Sequence, residues 1–482
     1  MRSRWTLTAA VLAAALVAGC GGDDKNDPPN TTPTGQDPSS AQVDQQVVVV
    51  DGDTREPLVG ATVTAFTASG AQPPATSDAQ GRTPIPQGTT GACASTAAYP
   101  QDCRTVVAGR PQVTIPLYNP ALQSPEYGGG PGRTRYVPAV DVPVPDGPPK
   151  WTHTGKVLLE FPPSVAAGAV ALTTNRGRIF VFDAATGRRR WDKRHPKRRY
   201  PEDSEANNIA AAPAIITTGV EKQVLVSGMD GRLVSYSLAN GRVLWEYSTG
   251  QSPIESSPLV VGETVYVGAW NGRLYAVSTK SGRDRWVFQA RGDIKGSAAQ
   301  AGNLIIVGDY AGNVYGIRAT NGTEVWRRAA GKRFYGGSAV SGGIAVIGDV
   351  GGAIVALDVK TGEQLWRRAT GGAVYSSPAI AKGTVFIGSY DGSFRALNLR
   401  TGAVKWTFSA GGRISGSATV VGDTVYTSVL ARRGEKDRTY ALNVANGNKR
   451  KEFDDGRYSP AVAAGKTLYL VGRTTLYAYP AP

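Results

Sequence analysis

Residues 376–410 read SSPAIAKGTVFIGSYDGSFRALNLRTGAVKWTFSA, and this stretch decides the fold. It predicts four short strands, over residues 377–380, 384–388, 394–399 and 404–408. The dipeptide Asp391-Gly392 separates the second strand from the third, and such dipeptides favour tight hairpin turns because both central residues need positive φ. Four short strands in one unit of this length are typical of a β-propeller blade.

The same unit recurs through the C-terminal two-thirds of the chain. A glycine followed four residues later by a tryptophan returns at intervals of roughly 40 residues, which is the length of a propeller blade. A large indole ring can wedge between adjacent blades and bury its surface there. We therefore assign a structural docking role to Trp151, Trp191, Trp245, Trp286, Trp326, Trp366 and Trp406.

The first strands of the blades give a count of eight, with seven as the alternative. The last blade ends at Tyr479 after three strands, and a strand that starts at Trp151 can supply the missing fourth. This pairing would close the ring and leave no open sheet edge. The predicted fold is all-β: an eight-bladed propeller of four-stranded blades over residues 149–482, closed by its N-terminal strand and preceded by a small β-sandwich.

One repeat motif connects the chain to a known family. The pattern A-x-D-x-x-T-G-x-x-x-W is complete as Ala356, Asp358, Thr361, Gly362 and Trp366. It resembles the tryptophan-docking motif of pyrroloquinoline-quinone (PQQ) propellers, and the resemblance extends over the whole predicted propeller. It implies a quinoprotein-like fold but does not by itself imply a function.

The first function that the resemblance implies is a PQQ-dependent dehydrogenase. Those enzymes hold the quinone between a tryptophan floor and a disulfide of adjacent cysteines, and they need carboxylate and Asn ligands for calcium and a catalytic Asp. Residues 149–482 contain no cysteine, and we find no matching set of ligands. Since a cofactor enzyme needs groups that tune its cofactor, we predict no cofactor, no metal site and no catalytic residue. Serines at strand starts, such as Ser256 and Ser376, recur with the repeat and are interpreted as structural.

The second function that the resemblance implies is a non-catalytic scaffold. Lipid-anchored eight-bladed propellers with this repeat include the propeller lipoprotein of the outer-membrane β-barrel assembly machinery, which binds partner proteins and has no catalytic site. The resemblance to it is one of architecture, and the extra sandwich and long tether depart from it. A third possibility is binding of cell-wall polymer or glycan on aromatic side chains. We predict the scaffold: a monomer that engages an envelope protein, an anionic polymer or a lipid headgroup, and no nucleic acid.

The first twenty residues predict export. A positively charged start precedes an apolar run over residues 7–17 that is too short to span a bilayer, and residues 1–19 are interpreted as a cleaved signal peptide. The tetrapeptide ending at Cys20 resembles a bacterial lipobox, so Cys20 is predicted to carry a lipid that anchors the protein in the outer leaflet of the cell membrane. An ordinary secreted protein is the alternative. Residues 20–42 are polar and rich in Pro and Thr, which predicts a flexible tether.

Residues 43–118 predict a small β-sandwich. Their pattern V-x-D-x-x-T-x-x-P-L-x-G-A-x-V, followed by D-A-x-G-R, resembles carboxypeptidase-regulatory-like (transthyretin-like) domains, which usually act as spacers or adhesive units. Cys93 and Cys103 are the only other cysteines, and in an exported chain they are predicted to form a disulfide. Residues 119–148 are rich in Pro and Gly and predict a linker.

The chain has a formal net charge of +15, which favours anionic partners without identifying them. Loops between blades and turns between second and third strands lie on one face of a propeller, and both long departures from the repeat, residues 192–208 and 429–438, fall there. Such loops often carry binding residues, although insertions are also simply tolerated on surfaces. The predicted binding face consists of Arg194, Lys197, Arg198, Arg199, Glu255, Trp270, Lys295, Tyr310, Tyr375, Tyr390, Arg432, Arg433, Lys436, Arg438 and Arg457.

Overall fold

The computed structural model describes residues 45–138, 142–195, 209–219, 221–431, 436–458 and 460–480. All of them lie in one compact unit, Asp44–Pro482. The described residues are almost entirely strands and turns, with one short 3-10 helix, Pro120–Leu122. None of the helices in this part of the chain is long and apolar enough to cross a membrane.

The N-terminal strands form two small sheets. They are β1 (Gln46–Asp51), β2 (Thr62–Thr67), β3 (Gly70–Ala71), β4 (Ala75–Thr76), β5 (Arg82–Pro84), β6 (Gly91–Ser95), β7 (Asp102–Thr105) and β8 (Gln112–Leu117). One sheet has the order β5-β1-β8, and the other has the order β3-β2-β6-β7 with β4 paired to β2. Val49 and Ile115 of the first sheet share a buried core with Val63 of the second. The predicted disulfide, Cys93–Cys103, joins β6 to β7.

The rest of the chain forms antiparallel sheets of four strands. Two short strands come first, β9 (Tyr136–Val137) and β10 (Trp151–Thr154). Blade 1 is β11 (Ser164–Ala166), β12 (Ala169–Thr173), β13 (Arg178–Asp183) and β14 (Arg189–Arg194), and blade 2 is β15 (Ala214–Ile216), β16 (Gln223–Ser227), β17 (Arg232–Ser237) and β18 (Val243–Ser248). Blade 3 is β19 (Leu259–Val261), β20 (Thr264–Gly268), β21 (Arg273–Ser278) and β22 (Asp284–Gln289), and blade 4 is β23 (Ala299–Ala301), β24 (Leu304–Gly308), β25 (Asn313–Arg318) and β26 (Glu324–Ala329).

Blades 5 to 8 continue the series. Blade 5 is β27 (Ala339–Ser341), β28 (Ile344–Gly348), β29 (Ala353–Asp358) and β30 (Gln364–Ala369), and blade 6 is β31 (Ala379–Ala381), β32 (Thr384–Gly388), β33 (Ser393–Asn398) and β34 (Val404–Ser409). Blade 7 is β35 (Thr419–Val421), β36 (Thr424–Val429), β37 (Arg438–Asn443) and β38 (Lys449–Phe453). Blade 8 is β39 (Ala461–Ala464), β40 (Thr467–Val471) and β41 (Thr475–Pro480), to which β10 is added. Within the described residues there are therefore seven sheets of four strands and one of five strands, since β9 pairs parallel with β35 of blade 7. Together they are arranged as a β-propeller.

The ring closes as the sequence predicts. Strand β10 pairs antiparallel with β41, with Trp151 opposite Ala478, so the first propeller strand completes the last blade. The second strand of a typical blade is buried throughout, as in TVFIG of β32, whereas the fourth alternates exposed and partly buried residues, as in β34. The apolar core accordingly lies between neighbouring blades: Val346 of blade 5 and Ile387 of blade 6 belong to one cluster.

Each predicted docking tryptophan binds the next blade. Its indole N–H donates a hydrogen bond of 2.8–3.1 Å to the backbone carbonyl that follows that blade's third strand; the acceptors are Ala184, Leu238, Thr279, Ala319, Val359, Leu399 and Val444. Trp151 of blade 8 docks on blade 1, which completes the circle. Blade 7 has Lys451 at this position, and its ammonium group instead binds the carbonyl of Pro145 and the carboxylate of Asp146.

The segment predicted as a linker is packed against the propeller over much of its length. The central residue of the first strand of each of blades 1, 2, 4, 5, 6 and 7 donates its N–H to a carbonyl of residues 124–135, over 2.6–2.9 Å. In blade 3 the N–H of Val260 is bound by the Glu126 carboxylate at 2.9 Å. Backbone N–H groups on an innermost strand need partners, and this segment supplies them. We call residues 119–137 the plug.

Candidate binding site at the channel mouth

The plug forms the floor of a cavity in the propeller channel. Tyr127 of the plug lines this cavity, which encloses about 370 Å³. Its hydroxyl lies 3.2 Å from the hydroxyl of Ser377 and 3.1 Å from that of Ser417. The guanidinium of Arg135 stacks on the opposite aromatic surface, 3.8 Å from the ring centroid. The floor is thus an aromatic group held by two hydroxyls and a guanidinium.

A buried ion pair holds the plug in place. Arg133 is 2% exposed, and its guanidinium donates to the backbone carbonyls of Tyr127, Ser257, Pro258 and Ala298. Its Nη2 lies 3.9 Å from the carboxylate of Glu126, which is also buried. Burial raises the pKa of Glu126, and the positive charge of Arg133 opposes that rise. The pair therefore ties the plug to blades 3 and 4.

In every blade, the residue at one particular position of the repeat lines the cavity. These residues occupy the same position of the repeat, four residues before the first strand in blades 1 to 7 and three before it in blade 8. We call them the mouth ring: Glu160, Ala210, Glu255, Lys295, Tyr335, Tyr375, Ser415 and Tyr458. Because the repeat places all eight around one opening, their side chains together determine what the cavity can bind.

Aromatic side chains form a continuous arc along one side of the mouth. The Lys295 ammonium lies 3.8 Å from the Trp270 ring centroid and 4.4 Å from that of Tyr310. From Tyr310 the arc continues through Tyr335, Tyr375 and Tyr390, with successive centroid separations of 6.4, 5.4 and 4.6 Å. Aromatic rings combine a large apolar surface with a polar edge, a combination common in binding surfaces.

Two carboxylates face this arc. Glu255 accepts hydrogen bonds from the Tyr335 hydroxyl at 2.6 Å and from the Trp270 indole at 3.0 Å. Burial raises the pKa of Glu160, and the negative charge of Glu255 raises it further, while Arg457 opposes the rise. Burial together with the charge of Glu255 raises the pKa of Tyr310 to about 12. The cavity interior is therefore already unfavourable for negative charge.

The serines at the strand starts are structural, as predicted. The hydroxyls of Ser257 and Ser297 accept the backbone N–H groups of Ala212 and Ser257, respectively, in the preceding blades. Ser377 and Ser417 make the same contact with the blades before them. These hydroxyls join neighbouring blades around the channel and are not poised as nucleophiles.

The structure brings together part of the predicted binding face. Six of its residues lie in the cavity wall or the aromatic arc: Glu255, Trp270, Lys295, Tyr310, Tyr375 and Tyr390. Lys197, Arg198, Arg199, Arg432 and Arg433 lie outside the described residues. Lys436 and Arg438 are on blade 7, where their charged groups lie 3.6 Å from Asp454 and 3.3 Å from Glu452.

Two predicted placements need correction. Arg194 is the last residue of β14, opposite Arg178, so it belongs to an outermost strand and not to a loop. Arg457 is not the mouth-ring residue of blade 8; that position is Tyr458, which lies nine residues before the second strand of its blade, as Glu255 and Tyr375 do in theirs. Arg457 instead pairs with Asp437 at 3.3 Å.

Sequence reasoning missed four mouth-ring residues with polar side chains, Glu160, Tyr335, Ser415 and Tyr458. The signal that could have found them is the repeat itself. Aligning the blades by the start of their second strands places these residues nine positions upstream, in the same column as Glu255 and Tyr375, which were predicted.

The residues present do not fit a quinone or a metal. Within the described part of the chain, no three His, Cys, Asp or Glu side chains come together in a way that could hold a metal ion. PQQ is a polycarboxylate, and in the mouth cavity it would lie against Glu160 and Glu255, which already repel each other. We derive no redox step from this site.

Comparisons with known proteins agree with the fold. The profile of the family described as "Outer membrane protein assembly factor BamB" matches residues 141–286, 175–329 and 310–453. BamB of Shewanella oneidensis is 25% identical over 134 residues, covering 28% of this chain and 33% of the relative. BamB of Burkholderia pseudomallei is 28% identical over 152 residues, covering 30% of this chain and 38% of the relative. The aligned regions thus span little more than a third of these curated relatives.

Solved structures show the same architecture at low sequence identity. BamB from Moraxella catarrhalis superposes with a TM-score of 0.55 at 15% identity, covering 68% of this chain and 95% of that one. The quinohemoprotein alcohol dehydrogenase of Comamonas testosteroni gives a TM-score of 0.59 at 14% identity, covering 74% and 80%. The computationally designed Ika8 protein gives 0.58 at 16% identity, covering 69% and 100%. An assembly factor, an enzyme and a designed protein share this fold, so it does not select among functions.

Proposed function

This chain belongs to the family described as outer membrane protein assembly factor BamB, and on that basis we propose that it is a non-catalytic scaffold of the cell envelope that holds a protein partner at the mouth of its propeller. The observation that carries the proposal is the aromatic arc beside the mouth cavity. Aromatic side chains that project from a rigid frame lose little conformational entropy on binding and often dominate protein interfaces. The plug supports this, because it gives the cavity a fixed floor.

A PQQ-dependent dehydrogenase is not favoured as the alternative. The carboxylates of the mouth ring oppose an anionic cofactor, and the strand-start serines are engaged in contacts between blades. An anionic partner at this face is also less well supported than a protein surface. The described cations Lys436, Arg438 and Arg457 each lie beside a carboxylate, so much of their charge is compensated.

The aromatic arc can be tested by replacing its two outer tyrosines. Tyr310→Ser with Tyr390→Ser is expected to weaken binding to the envelope partner at least about tenfold, because loss of aromatic anchors dominates interface mutations. Binding would be measured by capture from detergent-solubilised envelope with the purified full chain, followed by titration with the captured protein. Val325→Ser with Leu365→Ser is the matched control, since these exposed side chains lie on outermost strands. Equal losses from both pairs would contradict the proposal.

We propose that the scaffold is lipid-anchored through Cys20, which lies outside the described residues. Cys20→Ser is expected to move the protein from the membrane fraction to the soluble fraction, because it removes the site of the proposed lipid anchor. The measurement is immunoblotting of fractionated cells, with Cys93→Ser as a control that removes a cysteine but not the lipid. Full retention of Cys20→Ser on membranes would rule out the anchor.

A further inference from the structure

The mouth ring is the place where the repeat departs from uniformity. The two positions after it hold mostly glycine, serine or alanine, as in Gly296-Ser297 and Ser376-Ser377, because they pack between blades. The mouth ring itself holds Glu, Ala, Glu, Lys, Tyr, Tyr, Ser and Tyr in blade order. The fold accepts every one of these side chains at the same backbone position, so their identity is set by something other than folding.

Of the two mouth-ring carboxylates, Glu160 is the one that lacks a bonding partner within the described part of the chain. Its carboxylate makes no hydrogen bond or ion pair with any described residue, whereas both oxygens of Glu255 are bound. It is largely withdrawn from solvent in the cavity wall and shares that cavity with a second carboxylate. A partly buried carboxylate is stabilised by an opposite charge that enters its surroundings.

The neighbouring cations do not supply that charge. Lys295 lies over the faces of Trp270 and Tyr310, and its ammonium forms no ion pair among the described residues. Arg457 acts on Glu160 only at longer range, because its guanidinium is paired with Asp437. Cationic groups also bind well over aromatic faces, and the wall of the cavity opposite Glu160 consists of tyrosines.

We propose that the mouth cavity receives the ammonium or guanidinium group of a lysine or arginine side chain from the partner protein, between the Glu160 carboxylate and the Tyr335–Tyr375 wall. The inference rests on the proposed function, since it supplies the chemistry of that partner. A neutral guest such as a sugar would displace water from Glu160 without compensating its charge, which is unfavourable. A cationic side chain would compensate the charge of Glu160 and at the same time cover the faces of the tyrosine rings.

The test uses two short peptides and the full chain. Acetyl-Gly-Arg-Gly-amide is the cationic probe, and the same peptide with citrulline is its neutral isostere. Binding would be followed by the indole N–H resonance of Trp270 in tryptophan-labelled protein, assigned with Trp270→Phe. We expect the arginine peptide to bind at least about tenfold more tightly than the citrulline peptide, as charge-assisted contacts are the stronger ones.

Glu160→Gln is expected to remove this preference for the arginine peptide. Glu363→Gln is the matched control, because it makes the same charge change at an exposed turn of blade 5 and should leave the preference intact. The preference should also fall at low pH. The pKa of Glu160 is raised, so its carboxylate is protonated earlier on acidification than an ordinary glutamate, in surroundings that include Glu255, Tyr335, Lys295 and Arg457.

Three outcomes would overturn the inference: no binding of the arginine peptide, equal binding of the citrulline peptide, or an unchanged preference in Glu160→Gln. Binding of N-acetylglucosamine in place of the arginine peptide would assign the cavity to carbohydrate. These outcomes are separate from failure of the scaffold proposal. If the Tyr310/Tyr390 variant loses the partner but the unchanged protein binds no peptide, the scaffold proposal is supported and the proposal of a cationic guest is wrong.

Discussion

Replacing Arg133 by methionine is expected to lower the free energy of unfolding by about 3–5 kcal/mol, the usual cost of breaking a buried ion pair from one side. The change leaves the buried Glu126 carboxylate without its counter-charge and removes donors from four backbone carbonyls. Methionine keeps most of the length of the side chain, so the loss reports on charge and hydrogen bonding more than on volume. The measurement is urea unfolding followed by tryptophan fluorescence.

Arg55→Met is the matched control for this variant. Arg55 also has a positive φ, 70° against 55° for Arg133, but it is exposed. Its replacement should change stability by no more than about 0.5 kcal/mol. Adding Glu126→Gln to Arg133→Met should recover part of the loss, because the uncompensated charge is removed. If Arg133→Met lowered the free energy of unfolding no more than Arg55→Met does, the plug would be a surface segment and not part of the core of the channel.

The propeller itself could be predicted because its determinants are local and repeated. A glycine in the turn between the second and third strands, such as Gly392, and a glycine four residues before a tryptophan each act within one unit, and the repetition of the unit makes the pattern visible. The tight turn predicted for Asp391-Gly392 was wrong in detail, because Gly392 has a φ of 82° but Asp391 has no positive φ, and the loop between β32 and β33 has four residues. The docking role of Trp366 followed from the same repetition, and the structure shows its indole bound to the next blade. Ring closure followed from counting strands, since the last blade lacked one.

The plug could not be predicted because its determinants are not local. Its composition of Gly and Pro is that of a linker, and its ordered path depends on contacts with distant residues, including the N–H groups of first strands and the backbone carbonyls that Arg133 binds. Gln300 and Val340 bind it from strands that lie far away in sequence. Arg133 and Arg135 of the plug are 2% and 4% exposed, although arginine is rarely buried.

The candidate site was predicted in part for a related reason. Residues such as Glu255 and Tyr375 precede regular strands of constant length, so their position in the repeat fixes their position in space. Blade 8 keeps this spacing, since Tyr458 lies nine residues before the second strand, so the prediction of Arg457 was one residue out of register. The repeat predicts the geometry correctly when the blades are aligned by their second strands.

The contact between a docking tryptophan and a turn glycine offers the second large effect. Trp326→Ala is expected to cost about 3–5 kcal/mol, as for other buried tryptophans, because Trp326 is 8% exposed and its indole binds the carbonyl of Val359. Gly362→Ala should cost about 1–2 kcal/mol for a left-handed backbone at φ 72°, and about 1–3 kcal/mol more for overpacking. The added Cβ would lie 2.5 Å from the Trp326 ring.

Gly383→Ala separates the backbone cost from the overpacking cost. Gly383 has a φ of 68°, similar to that of Gly362, but nothing lies within 4 Å of a Cβ added there. It should show only the backbone cost. In a Trp326→Ala background the ring that collides with the Cβ is gone, so Gly362→Ala should then cost no more than Gly383→Ala. Urea unfolding of the four single and double variants gives the coupling directly. Purely additive costs at Trp326 and Gly362 would mean that the glycine is required by its backbone conformation alone, and that the close approach of the Trp326 ring to Gly362 of the next blade is not what requires a glycine there.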